Sequence, residues 1–116
     1  MKKIFLITLS IFILNVAQVS AKEIYFGSQF NEDFYVLDET YQKTGKGTWD
    51  PDRAFKIQIK IVNQKSGKMG YFWFDFFTGQ SEYGRDWFLS INGGTAKRMG
   101  YWTHPVPKIF DAYKGF

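Results

Sequence analysis

The chain has 116 residues, 21% of them Phe, Trp or Tyr, and no cysteine, which excludes disulfides and thiolate metal sites. Its formal net charge is +4, and the basic residues are scattered singly rather than gathered in a stripe, which argues against a nucleic-acid partner. A chain of this length holds one small domain.

Residues 1–21 read as an export signal. Lys2 and Lys3 form a short basic start, Ile4 to Leu14 is apolar apart from Thr8 and Ser10, and Val19-Ser20-Ala21 offers small residues to a signal peptidase. The apolar run is shorter than the roughly 20 residues that span a bilayer. Cleavage is therefore expected after Ala21, leaving residues 22–116 as a single exported domain with no stable membrane span. That domain has a net charge of +2, because Lys2 and Lys3 are the only charges removed. Its destination is the periplasm, the medium or the cell surface. A lipid-modified cysteine at the cleavage site is excluded by composition.

The first predicted strand is Ile24-Tyr25-Phe26, stopped by Gly27-Ser28. A polar turn, Asn31-Glu32-Asp33, leads to a second strand, Phe34 to Leu37, which Asp38-Glu39-Thr40-Tyr41 ends. Gln42 to Arg53 has Gly45, Gly47 and Pro51 and no apolar period. It is the longest predicted loop, and it carries Trp49.

The central feature is Phe55 to Phe77. Phe55, Ile57, Ile59 and Ile61 alternate with Lys56, Gln58 and Lys60, the period of a strand with one wet face. Gln64 to Lys68 has turn chemistry, and Gly70 to Phe77 is aromatic at nearly every position. A four-residue loop, Lys65 to Lys68, predicts Ile61 opposite Phe72, Ile59 opposite Phe74 and Ile57 opposite Phe76. Lys60 then faces Trp73, and Gln58 faces Asp75. A three-residue loop would put Lys60 and Gln58 among the phenylalanines. The Phe/Ile face is the predicted core, and Tyr71, Trp73 and Asp75 point outward.

Thr78 to Arg85 contains Gly79 and Gly84 and reads as a connection. Trp87 to Ile91 is a fifth strand with Trp87, Leu89 and Ile91 on one face. Asn92-Gly93-Gly94 signals a tight turn, and Ala96 to Trp102 is the expected return strand. Pro105 and Pro107 permit a helix start, after which Ile109, Phe110 and Tyr113 share one side. The predicted fold is mainly β with an α+β character: an antiparallel sheet of about six strands and a short C-terminal helix.

This order, Ile24-Tyr25-Phe26-Gly27-Ser28, then Phe34-Tyr35-Val36-Leu37-Asp38, a loop, Phe55 to Lys60, an aromatic return strand and a Pro-led helix, resembles the bacterial surface-adhesin protein E-like domains. The resemblance implies a compact sheet with a flanking helix and an adhesive role, and it carries over no binding residue.

Catalytic and metal chemistry finds little support. His104 is the sole histidine, so a zinc site has no second imidazole or thiolate. Asp50-Pro51-Asp52 lacks the alternating acids, glycine and terminal Glu of a calcium loop. Glu82 and Asp86 are a candidate acid/base pair for glycoside hydrolysis, which depends on their separation. No cofactor fingerprint occurs. The expectation is a non-enzymatic, adhesin-like binding module that meets a protein or carbohydrate partner outside the cytoplasm. Its candidate binding residues are Trp49, Tyr71, Trp73 and Lys60, with Trp102 as a further surplus aromatic, and Trp49 is expected to fold over the outward face beside Trp73. The alternatives are a small envelope hydrolase using acidic residues and a purely structural envelope protein.

Overall fold

Each apolar alternation in the sequence becomes a strand, and the strands join in sequence order. A computed structural model describes residues 22–116; the signal-peptide reading of residues 1–21 lies outside the described residues. Six strands form one antiparallel sheet: β1 (Glu23–Gln29), β2 (Glu32–Lys43), β3 (Phe55–Asn63), β4 (Met69–Ser81), β5 (Gly84–Ile91) and β6 (Lys97–Arg98). Short 3-10 turns occupy Pro51–Arg53 and Met99–Tyr101, and one helix, α1 (Val106–Tyr113), follows.

The helix covers one face of the sheet. Val106, Ile109, Phe110 and Tyr113 form its buried stripe, the i, i+3, i+4, i+7 spacing of an amphipathic helix. Phe110 lies 5.5 Å from the Phe76 ring, 6.4 Å from Phe55 and 5.0 Å from Trp87. Phe55, Ile57, Ile59, Phe74, Phe76 and Leu89 are essentially fully buried beneath it. With few aliphatics available, these rings supply most of the burial, at roughly 1.5–3 kcal/mol per side chain.

The predicted face is correct, but the register of the central hairpin differs. Ile59 pairs with Phe72, Ile57 with Phe74 and Phe55 with Phe76, while Gln58 faces Trp73, Lys60 faces Tyr71 and Lys56 faces Asp75. The expected pairs are all displaced by two residues, which preserves the face because the side-chain period is two. The cause is Asn63. Its Oδ1 accepts hydrogen bonds from the Lys65 and Ser66 amides, 2.9 Å each, and this Asx-type turn starts the loop one residue early. Gly67 closes it at φ +75°.

The first hairpin is also longer than its sequence suggests. β1 passes through Gly27-Ser28, and the turn is Phe30-Asn31, both left-handed at φ +50° and +66°. The pairing shifts between Tyr25 and Gly27, a bulge that turns both Phe26 and Gly27 toward the helix side. A Cβ on Gly27, at φ +136°, would overlap His104 Nε2 and crowd Pro105; the chain entering α1 rests there. β2 likewise continues past Leu37. Its register jumps from Leu37–Gln58 to Gln42–Lys56, and the Thr40 hydroxyl fills the gap, donating to Leu37 O (2.6 Å) and accepting from Gln58 N (2.8 Å). This bend lays Tyr41 over Phe55 and Tyr113, 5.4 and 6.1 Å away.

The Thr78 to Arg85 connection is instead a tight hairpin. Ser81 pairs with Gly84 across a Glu82-Tyr83 turn, and the ladder runs back to Phe74 opposite Ile91. Asn92-Gly93 turns as predicted, with both residues at positive φ. The return strand, however, is only Lys97–Arg98 before the chain crosses toward β1.

Candidate functional site

Only one face of the sheet lies beneath α1. The opposite face carries, from β3 and β4, Lys56, Gln58 and Lys60 alternating across from Asp75, Trp73 and Tyr71. β5 continues it with Ser90 opposite Asp75 and Phe88 opposite Phe77. β2 and β1 extend it the other way, with Tyr35 opposite both Lys60 and Tyr25. One row across four strands therefore reads Tyr25, Tyr35, Lys60, Tyr71. The Tyr25 and Tyr35 rings are 5.4 Å apart.

Lys60, Tyr71 and Trp73 thus share a face, as their alternation implies. Lys60 does not sit beside Trp73; its Nζ is 4.9 Å from the Tyr35 ring centroid and 2.5 Å from Glu23 Oε1. The cation over Trp73 is Lys56, at 5.0 Å. Such pairs hold amphipathic side chains flat against the sheet and keep their charged ends wet.

Trp49 is elsewhere. Its indole N–H donates to Gly79 O (3.1 Å), and its ring meets the edge of Trp87 at 6.0 Å. Trp87 packs on Phe110 of the helix, so Trp49 lies on the helix side and forms no patch with Trp73. The reason is an unfilled edge. β4 runs beyond the start of β3, and the loop pairs with it there, Gly47 in parallel with Thr78, the Thr48 amide donating to Thr78 O at 3.2 Å. The Thr78 hydroxyl and the Trp49 backbone exchange further hydrogen bonds. Trp102 is likewise structural: it packs against the core and donates to Lys97 O.

The loop and the open face together make a groove of about 600 Å³ lined by Lys46, Thr48, Phe77, Gly79, Phe88 and Ala96 among others. Phe77 and Phe88 lie nearly parallel, 16° apart with centroids 6.2 Å apart. Gly79 makes this possible, because a Cβ there would meet the Phe88 ring at 2.9 Å. The ring therefore lies against the Gly79 backbone and turns its other side outward. At the end of the groove Lys46 Nζ stands 2.5 Å from Asp75 Oδ2, while Asp75 Oδ1 is buried with no hydrogen-bond partner. Sequence reasoning missed Phe77, Phe88, Gly79 and Lys46. The available signal was Phe88 alternating against Trp87 and Leu89, which required β4 to continue past Phe77.

His104 does not converge with the acidic residues weighed for catalysis. Asp86 is on β5, paired with Arg98 at 3.3 Å, and Glu82 is in the adjoining turn. His104 stands against Gly27 on β1, four strands away and on the order of 19 Å at normal strand spacing. Asp50 is ion-paired with Arg53 at 2.9 Å. Among the described residues no three His, Asp or Glu side chains gather as a metal site, and no helix is long and apolar enough to cross a membrane.

Ionisation is perturbed at Tyr113, Tyr41 and Asp33. Burial, reinforced by a 2.7 Å hydrogen bond donated to Asp38 Oδ1, pushes the Tyr113 phenol well above its usual range. Burial also raises Tyr41. The Asp33 carboxyl is held below its usual range by hydrogen bonds from Ser28 and Gln64. None of these groups lines the groove. Comparison of the chain with protein-family models, curated proteins and solved structures found no significant match.

Proposed function

We propose that this chain is an exported, non-enzymatic, adhesin-like module that binds a carbohydrate or protein partner outside the cytoplasm through the open face of its sheet. The observation that supports it is the asymmetry of the sheet. One face is closed by the helix, and the other presents aromatic planes, Trp73 beneath Lys56 and Phe88 flat on Gly79, beside a groove of about 600 Å³. These half-buried, outward-facing rings beside a groove are a surface that a partner can cover. Flat rings edged by Lys46, Thr48 and Gln80 suit a sugar ring, whose apolar side stacks while its hydroxyls meet polar neighbours. Against the hydrolase alternative stands the ion pair that already engages Asp86 with Arg98.

The test is binding of the purified protein to immobilised envelope and host-surface polysaccharides and proteins, with Phe88→Ala, Trp73→Ala and Tyr71→Ala beside the native chain. The expected result is a saturable ligand whose affinity falls at least about tenfold in Phe88→Ala or Trp73→Ala, the scale of a lost central aromatic contact. Retention of full affinity by all three folded variants would overturn the assignment of the face. Turnover of a bound polysaccharide would overturn the non-enzymatic reading.

A further inference from the structure

Phe30 stands apart from the other aromatics. It is 86% exposed, and it occupies the first position of the β1–β2 turn at φ +50°. Two successive positive-φ positions suit Gly, Asn or Asp, and Asn31 meets that preference. Phe30 does not, because a Cβ-bearing, bulky side chain is strained in the left-handed region. The fold thus holds a large apolar ring in an unfavourable conformation and gives it almost no cover. Strain of this kind persists where the side chain serves something outside the fold.

The surroundings of Phe30 suggest what that is. The turn is tied to the β3–β4 loop by a hydrogen bond from Gln64 N to Asn31 O, 2.8 Å, and Asn63 rigidifies that loop through its two amide contacts. The same end of the sheet therefore presents Phe30, Met69 (59% exposed) and the exposed ammonium groups of Lys65 and Lys68. Glu32 stands beside Lys68 and Met69 at the rim of one recess, and the Asp33 carboxylate is engaged by Ser28 and Gln64. The result is a tip at which an almost fully exposed ring projects next to two exposed lysines. A single apolar ring projecting from a turn does not enclose a small ligand. It fits an interface into which the ring inserts while the lysines meet phosphates.

We propose that this tip, Phe30 with Met69, Lys65 and Lys68, docks reversibly on an anionic lipid bilayer. The contact is independent of the groove, which lies further along the open face.

The experiment uses the full chain with vesicles of phosphatidylcholine, with or without phosphatidylglycerol, carrying brominated acyl chains that quench nearby indoles. Phe30→Trp places a reporter at the tip. Tyr83→Trp places one in an exposed turn at the opposite end of the sheet. The native tryptophans are common to both variants and cancel in the comparison. Stronger quenching at position 30 than at 83, on anionic vesicles only, is the expected result. Lys65→Gln and Lys68→Gln should each lower partitioning of the Phe30→Trp chain by about fivefold, the usual effect of one lysine near an anionic surface. Equal quenching at both positions, stronger quenching at 83, or no preference for anionic lipid overturns the proposal. A second measurement concerns the strain: Phe30→Gly should raise the melting midpoint, and a fall would mean that Phe30 serves the fold rather than a membrane.

Discussion

The two faces of the sheet use the same residue types and have opposite outcomes. On the helix side Phe55, Phe74 and Phe76 are sealed beneath Phe110; on the other side Phe77, Phe88 and Trp73 are half-buried and look outward. Phe76 and Phe77 are neighbours in sequence, and alternation alone sends one ring into the core and the other to the groove. What separates the faces is the company the rings keep. The core rings alternate with Ile57 and Ile59 across the ladder, whereas the outward rings share their face with Lys56, Gln58, Lys60 and Asp75. Aromatic content does not define a core here; the helix and the polar partners do.

The most direct way to break this comparison is to truncate the adjacent pair. Phe76→Ala should cost about 3–5 kcal/mol, since it leaves a cavity under the helix. Phe77→Ala should cost about 1 kcal/mol, the value of a partly buried ring. Urea denaturation of both variants checks this, and equal losses would mean that the outward face is packed as tightly as the core.

A smaller effect is expected where the helix side receives the returning chain. Gly27→Ala forces an L-residue into φ +136° and drives a methyl group into His104. The strain and displacement should destabilise the fold by about 1–3 kcal/mol, again read from a urea titration. The matching substitution on the open face, Gly79→Ala, lifts the Phe88 ring from the backbone and should weaken ligand binding more than it lowers stability.

Smaller still is the Tyr113–Asp38 contact that fastens α1 to β2. Tyr113→Phe removes the hydrogen bond to the carboxylate and should cost about 1–2 kcal/mol at neutral pH. The native phenol has its folded pKa raised above the unfolded value near 10. Above pH 10 the unfolded chain loses this proton while the folded one keeps it, so stability falls as pH rises from there through the folded pKa. Melting midpoints between pH 8 and 11 should therefore fall more steeply for the native protein than for Tyr113→Phe, and parallel curves would show that Tyr113 is not responsible.

Much of this architecture was legible because local chemistry dictates it. The alternation at Phe55 to Ile61 set the core face, and Asn92-Gly93 and the Ile109, Phe110, Tyr113 spacing located the last turn and the helix. The register slipped by two because the Asn63 side chain, rather than Gly67 alone, decides where the loop begins. The Leu37 to Gln42 irregularity was hidden because a Thr40 hydroxyl takes over backbone hydrogen bonds, which no periodicity records. Trp49 was misplaced for a long-range reason: its loop completes the free edge of β4, a pairing between Gly47 and Thr78 that depends on β4 outrunning β3. The groove was missed with it, since both rest on the length of β4.

The finest test of the comparison is a charge on the open face. Lys56 holds its ammonium 5.0 Å from the Trp73 ring, and neither side chain is needed by the helix-side core. Replacing Lys56 with Gln removes the cation and leaves a polar side chain on a wet surface. An exposed cation–π pair contributes about 0.5–1 kcal/mol, offset by the water that Gln regains, so the net change in stability should lie within about 0.5 kcal/mol. The Trp73 indole, no longer screened by the lysine stem, should become more accessible to acrylamide. The native chain and Lys56→Gln can be compared by urea denaturation and by quenching, with Trp73→Phe identifying which indole responds. A loss of stability as large as that of a core variant would place Trp73 and Lys56 in the structural half of the molecule and leave the groove alone as the functional surface.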